Sequence, residues 1–212
     1  MRGLRDRLRG RRAEPEAPGP GADGPPIAAP PLTDWAWRPA PWAAPLDDPI
    51  AEGAGGTRVA PGVTIHHDDP DAAIRLRQTG TAAPYAYEIA VERFGGGYVS
   101  LSMDLPEDAR RTMRDGHVVQ MRARIYPPPA RAYVRLCLRG GPNTDRIVSA
   151  FRPGRDGASV AEIDLGDPWR PERAVPAAKL SHAWVDLIVE RPGRGRIAIS
   201  DLSLSRRPRA EM

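Results

Sequence analysis

The chain has 212 residues, with Lys+Arg 31 against Asp+Glu 27, and 41% hydrophobic against 27% charged residues. That balance suits a folded globular protein and leaves room for one domain of about 100–200 residues with accessory segments. No apolar run approaches the ~18 residues of a membrane-spanning helix, and the single Cys137 excludes an intrachain disulfide framework or a Cys-rich zinc site.

The charge is uneven. Residues 1–12 hold six Arg and one Asp, and residues 206–212 three Arg and one Glu, so the stretch between carries more acids than bases. A basic end reads either as an electrostatic tether to phosphate or anionic lipid or as a solvated tail. Leu4 and Leu8 form too small an apolar face for firm insertion, so only weak contact with a membrane surface is expected. No apolar stretch follows the arginines, so no ordinary export signal is present and a cytoplasmic location is expected.

Residues 13–56 hold eleven Pro and six Gly, and neither Val nor Phe. Such a segment buries little surface against its ordering entropy and is expected to be extended or disordered. Within it, Trp35, Trp37 and Trp42 place three of the five Trp in eight residues. Each indole buries about 150–250 Å², so the three either strap onto the domain or meet a partner.

After residue 57 the apolar period becomes two. Alternation at 85–92, 98–105, 118–125, 134–139 and 185–190 marks half-buried strands, and 58–65, 73–78, 145–151, 158–165 and 196–205 are weaker ones. Gly- and Pro-rich turns separate them, including Gly95-Gly96-Gly97, Pro127-Pro128-Pro129 and Gly140-Gly141-Pro142-Asn143. A single short helix is predicted over 107–114, entered by Pro106. With no crossover helices the strands must be antiparallel, and about ten of them stack economically as two sheets. The expected fold is all-β: an antiparallel jelly-roll-like β-sandwich over 57–206, preceded by the Pro-rich arm 1–56 and followed by a basic tail at 207–212. In the last strand Ile197 and Ile199 share one phase and Leu202 and Leu204 the other, which predicts a bulge near Ser200-Asp201.

The stretch 183–190 (AWVDLIVE), a Pro-Gly turn and 196–205 (RIAISDLSLS) together resemble the closing hairpin of carbohydrate-binding-module and galactose-binding-like jelly rolls. Those families often end in an aromatic-led strand, a short turn and an I-x-D-(L/V)-x-L strand. The whole chain also resembles an uncharacterised family of alphaproteobacterial proteins with a basic start, a Pro-rich lead and this ending. The first resemblance implies a non-catalytic binding surface; the second implies no activity, and no ligand residue is carried over from either.

The residues offer little chemistry. His66-His67-Asp68-Asp69-Pro70-Asp71 is the densest set of metal-ligand types, but adjacent histidines on a strand point to opposite faces and the acids are turn formers, so a loop is expected, with calcium as the minority reading. His117 and His182 sit at strand ends, and Cys137 is expected to be buried and inert. Asp164, Asp167, Asp186, Glu190 and Asp201 lie near strand ends, where paired acids require a cleft to cleave a glycoside. No nucleophile elbow or phosphate loop is present. If 117–126 and 131–139 pair as a hairpin, Arg122, Arg124, Arg131, Arg135 and Arg139 share an outer face with Tyr126 and Tyr133.

The leading expectation is a non-enzymatic module binding carbohydrate or an anionic polymer through Trp35, Trp37, Trp42, Arg122, Arg124, Tyr126, Tyr133 and Arg135. No cofactor or metal is expected, nor a nucleic-acid partner; the oligomeric state is left open. The alternative is a structural or assembly protein docking to a protein partner through its Trp/Pro-rich arm, and a third reading is a hydrolase with an acidic pair.

Overall fold

Alternating side chains set the architecture. In the computed structural model, which describes residues 25–129, 131–154, 156–166 and 180–210, the inward phases of the central strands are buried. The N-terminal run 1–12 and Asp167 lie outside the described residues. The strands are β1 (Trp35–Trp37), β2 (Ile50–Glu52), β3 (Arg58–Ala60), β4 (Val63–His67), β5 (Ala73–Thr79), β6 (Ala86–Arg93) and β7 (Tyr98–Asp104). There follow β8 (His117–Tyr126), β9 (Ala132–Gly140), β10 (Asn143–Ala150), β11 (Arg152–Pro153), β12 (Ser159–Asp164), β13 (His182–Glu190) and β14 (Gly195–Pro208). Helices α1 (Ala40–Ala43) and α2 (Glu107–Thr112) are short, and no described helix is long and apolar enough to cross a membrane.

All pairings among the described strands are antiparallel. One sheet runs β11-β12-β8-β14-β6-β5-β2, with β1 also on β14; the other runs β10-β9-β13-β7-β4-β3. Between them Leu76, Leu101, Met103, Met121, Leu136, Leu187 and Ile199 are fully buried. This is the expected β-sandwich.

Two local expectations fail. β8 and β9 are not a hairpin: β8 pairs with β12 and β14, and β9 with β10 and β13. The intervening Pro127-Pro128-Pro129 has fixed φ and no N–H donors, so it cannot form a tight hairpin and carries the chain between sheets. The single basic stripe is therefore split between two opposite outer faces. The closing stretch 183–205 is no paired hairpin either, because β13 and β14 lie in different sheets.

The bulge is where the phase shift places it, between Ile199 and Asp201. There β14 leaves β6, its pairing with β6 ending at Ile199, and its pairing with β1 spans Leu204 to Arg206. Trp42 fills the gap between those partners: it is 0% exposed, its Nε1 donates to the Ile199 carbonyl at 2.8 Å, and its ring meets Tyr87 edge-on at 5.8 Å. Residues 35–52 thus contribute two strands and a core indole to the larger sheet.

Candidate functional site

The three early indoles are packed on the sandwich. Trp35 and Trp37 are half-buried against the core, and Trp35 Nε1 donates to Asp108 of α2 at 3.1 Å. Trp42, buried as above, is closed to any ligand, which corrects its place among the surface candidates. These side chains are large enough that a Pro-rich segment with few other apolar groups still gains by docking.

Arg122, Arg124 and Tyr126 face outward from β8. Tyr126 is 75% exposed. Arg122 is ion-paired with Asp156 and lies 3.9 Å from Asp201, which also accepts from Arg38 at 3.1 Å. Arg124 shares Asp156 at 3.4 Å. Asp156 and Asp201 engage the arginines of this face in a partly buried ionic lattice, so it is no free basic stripe.

Tyr133 and Arg135 stand instead on the outer face of the six-stranded sheet. Their neighbours follow from the register. Arg135 is opposite Asp186 of β13, which is opposite Ser102 of β7; Tyr133 is opposite Ile188; Cys137 is opposite Trp184 on one side and Arg146 of β10 on the other. Asp186 is 1% exposed and fully engaged: Arg135 Nε donates at 2.7 Å, Ser102 Oγ at 2.6 Å and the Cys137 thiol at 3.8 Å. Burial alone would lower the Arg135 pKa, but the hydrogen bond and charge of Asp186 outweigh it and hold the guanidinium above its ordinary value.

One row along, Trp184 stands beside His182, with ring centroids 5.2 Å apart, and the Arg139 guanidinium lies 5.2 Å from the indole centroid. His182 Nε2 is 3.1 Å from Asp104. Arg139 and Arg146 are exposed and meet no carboxylate among the described residues. The binding residues expected from the sequence do not include Trp184, Arg139 or Arg146. Their signal is an aromatic or a cation on the polar phase of a strand: Trp184 alternates with the buried Ala183, Val185 and Leu187. Isolated strands cannot show which polar phases will share a face.

Cys137 is 1% exposed, and burial followed by the Asp186 charge pushes its pKa up to about 11, against the pull of Arg135 and Arg146. Its thiol is protonated at neutral pH and is no nucleophile. We expect maleimide labelling at pH 8 to be slow in the native protein and fast in denaturant. Because the folded pKa lies above the ordinary 9.0, the Cys137 contribution to stability is present below pH 9 and is lost as pH rises toward about 11. Equally rapid labelling of native and denatured protein would contradict this burial.

The remaining acids are dispersed. Asp186 and Asp201 lie on opposite sheets, each bound to arginine. Asp68 accepts from the Gly97 and Tyr98 amides and Asp69 from Gly95 and Asp71, so this cluster clamps the Gly95-Gly96-Gly97 turn. Those amide bonds, opposed by slight burial, hold both carboxyls below their usual range. At Gly96 a Cβ would lie 2.7 Å from Phe94 and collide with Asp68, so only glycine admits this grip. Among the described residues no group of three His, Cys, Asp or Glu is placed to hold a metal.

The shape of the domain has counterparts among solved structures. A family 30 carbohydrate-binding module aligns at 7% identity over 83% of this chain and 88% of its own, with TM-score 0.45. The family 11 carbohydrate-binding module from Clostridium thermocellum, in complex with a β-1,3-1,4-mixed-linked tetrasaccharide, aligns at 7% identity over 77% of this chain and 98% of its own, with TM-score 0.44. The enzymatically active domain of bacteriophage CBA120 tailspike protein 4 aligns at 14% identity over 74% of this chain, which spans only 19% of the tailspike chain, with TM-score 0.38. These likenesses transfer no function. No curated protein matches the chain in sequence. The pattern of one family covers residues 9–212, and the chain belongs to it: the family of unknown function DUF6478.

Proposed function

We propose that this domain is a non-catalytic binding module that takes carbohydrate on the outer face of β9, β13 and β7. The observation that carries the reading is the placement of Trp184 and Tyr133 on one sheet face with Arg135, Arg139 and the buried Asp186. A sugar presents apolar C–H faces and a rim of hydroxyls. An amphipathic ring accepts the first, and fixed charged donors hold the second. The side chains stand on paired strands, and Arg135 is already locked by Asp186, so little ordering entropy is lost on binding. A non-catalytic role agrees with the chemistry of the face: its buried acid is engaged by three donors and its thiol is held protonated.

Affinity electrophoresis of the full chain through gels containing polysaccharides, with tryptophan fluorescence titration, tests this. We expect retardation in at least one glycan gel. Trp184→Ala should weaken binding at least tenfold, as expected for an aromatic anchor at a contact centre, while leaving the thermal midpoint nearly unchanged because the indole is on the outer face. Absence of any retardation or quenching across neutral and acidic glycans at millimolar sugar would end the proposal.

A further inference from the structure

Most strand arginines of the outer faces meet a carboxylate. On the eight-stranded sheet Arg75, Arg77, Arg122, Arg124, Arg196 and Arg207 do so, and exposed Arg152 on β11 does not among the described residues. On the six-stranded sheet Arg135 meets Asp186 and Arg131 lies 3.6 Å from Glu190, while exposed Arg58 on β3 meets none among the described residues. Beside Trp184 two such cations stand together. Arg139 rests against the indole, which attracts a cation through its π face but accepts none of its five N–H bonds in the manner of a carboxylate. Arg146 is exposed, with no ionic partner among the described residues.

The register places these groups together. Arg146 and Trp184 flank Cys137 on either side, so their backbones are two strand spacings apart, about 9–10 Å. Arg139 is two residues along β9 from Cys137, a diagonal neighbour of Arg146 at about 7–8 Å. The small Cys137 side chain is buried between them. Two guanidinium forks with no carboxylate partner among the described residues therefore border one aromatic ring. A guanidinium fork matches a planar carboxylate or a sulfate with paired N–H bonds.

Resting on the carbohydrate reading above, we infer that the glycan this face takes is acidic, its ring lying against Trp184 and its carboxylate or sulfate groups held by Arg139 and Arg146. A nucleic acid is the less suited polyanion. Duplex binding draws on some 6–10 phosphate contacts, and the body between the basic termini carries more acids than bases. A sparsely charged chain can be recognised by a local pair of cations, whereas a dense one is repelled by the rest of the surface.

The test uses the full chain with polygalacturonate as the carboxylated probe, heparin as the sulfated probe, laminarin as the neutral probe and a 20-base-pair DNA duplex. The arginines of residues 1–12 attract any polyanion without selectivity, so binding counts only where Trp184→Ala removes it. We expect one or both acidic glycans to bind at least tenfold more tightly than laminarin. That binding should weaken with added salt and fall at least tenfold in the Arg139→Gln/Arg146→Gln double variant, whose thermal midpoint stays at the wild-type value. Preference between polygalacturonate and heparin then identifies carboxylate or sulfate as the recognised group. Laminarin bound as tightly as the acids, with loss in Trp184→Ala but none in the double arginine variant, overturns the acidic preference and leaves the carbohydrate reading standing. Binding of DNA alone, lost in the same variants, overturns both, as does no Trp184-dependent binding to any probe.

Discussion

Trp42→Ala is expected to reduce the unfolding free energy by about 3–5 kcal/mol, the range for removing a large aromatic from a packed interior, a large share of the roughly 5–15 kcal/mol that holds a domain folded. The indole is fully buried, and its loss has two effects. It opens a cavity beside Tyr87, and it removes the donor to the Ile199 carbonyl at the β14 bulge, where an unmet buried acceptor costs about 1–3 kcal/mol, partly contained in the first figure. Urea unfolding followed by far-ultraviolet circular dichroism measures the change. Trp35→Ala, at a half-buried rim position, should cost much less. The same logic predicts that a chain beginning at residue 57 is poorly soluble, because it lacks both the indole and the strand β1 that pairs with β14. A loss below about 1 kcal/mol for Trp42→Ala would show that the N-terminal segment is dispensable to the fold.

Removing one partner of the Asp34–Arg206 pair is expected to have the second large effect. Arg206 follows the inward phase of β14, opposite Val119, and its side chain is 5% exposed. It donates to both oxygens of Asp34 at 3.0 and 3.2 Å, to the Ala109 carbonyl at 3.2 Å and to Thr112 Oγ1 at 2.7 Å. One guanidinium thus joins the N-terminal segment, α2 and the last strand. Nearby His117 is held below its ordinary pKa, first by burial and then by the Arg206 charge, and its Nδ1 accepts from the Arg114 amide. Asp34→Ala strands the cation in the interior, for which about 3–5 kcal/mol is the usual loss. Arg206→Met removes the buried charge along with its bonds and leaves Asp34, 37% exposed, partly hydrated, so it should lose less. In the double variant Asp34→Ala/Arg206→Met the losses should be clearly less than additive, with coupling of about 1–3 kcal/mol. Strict additivity in chemical denaturation would mean that the pair is not an energetic unit.

Most of the sandwich was legible because a strand's burial is written locally. Val119, Met121, Ala123 and Ile125 alternate with polar residues and are all buried, and the phase slip between Ile199 and Leu202 marks the bulge in β14. The predicted helix over 107–114 is shorter at its end, α2 stopping at Thr112 two residues before Arg114. The mean composition of the N-terminal segment predicts an extended or disordered arm, whereas its three Trp pack on the domain, as the strap reading has it, and Asp34 reaches Arg206, which no local pattern shows. Large local gains at a few side chains outweigh a poor mean.

The sequence by itself determined which residues of each strand face inward, where the chain turns, and that two antiparallel sheets enclose the core. Those properties depend on the period of two and on backbone donors within a few residues. Only the tertiary structure decided which strands are neighbours, and with it the candidate site. Adjacent β8 and β9 went to opposite sheets, while β9, β10 and β13, separated by as many as forty-odd residues, brought Arg139, Arg146 and Trp184 to one face. Strand order is set by packing and by what the three prolines at 127–129 forbid, and each strand's pattern is silent on both.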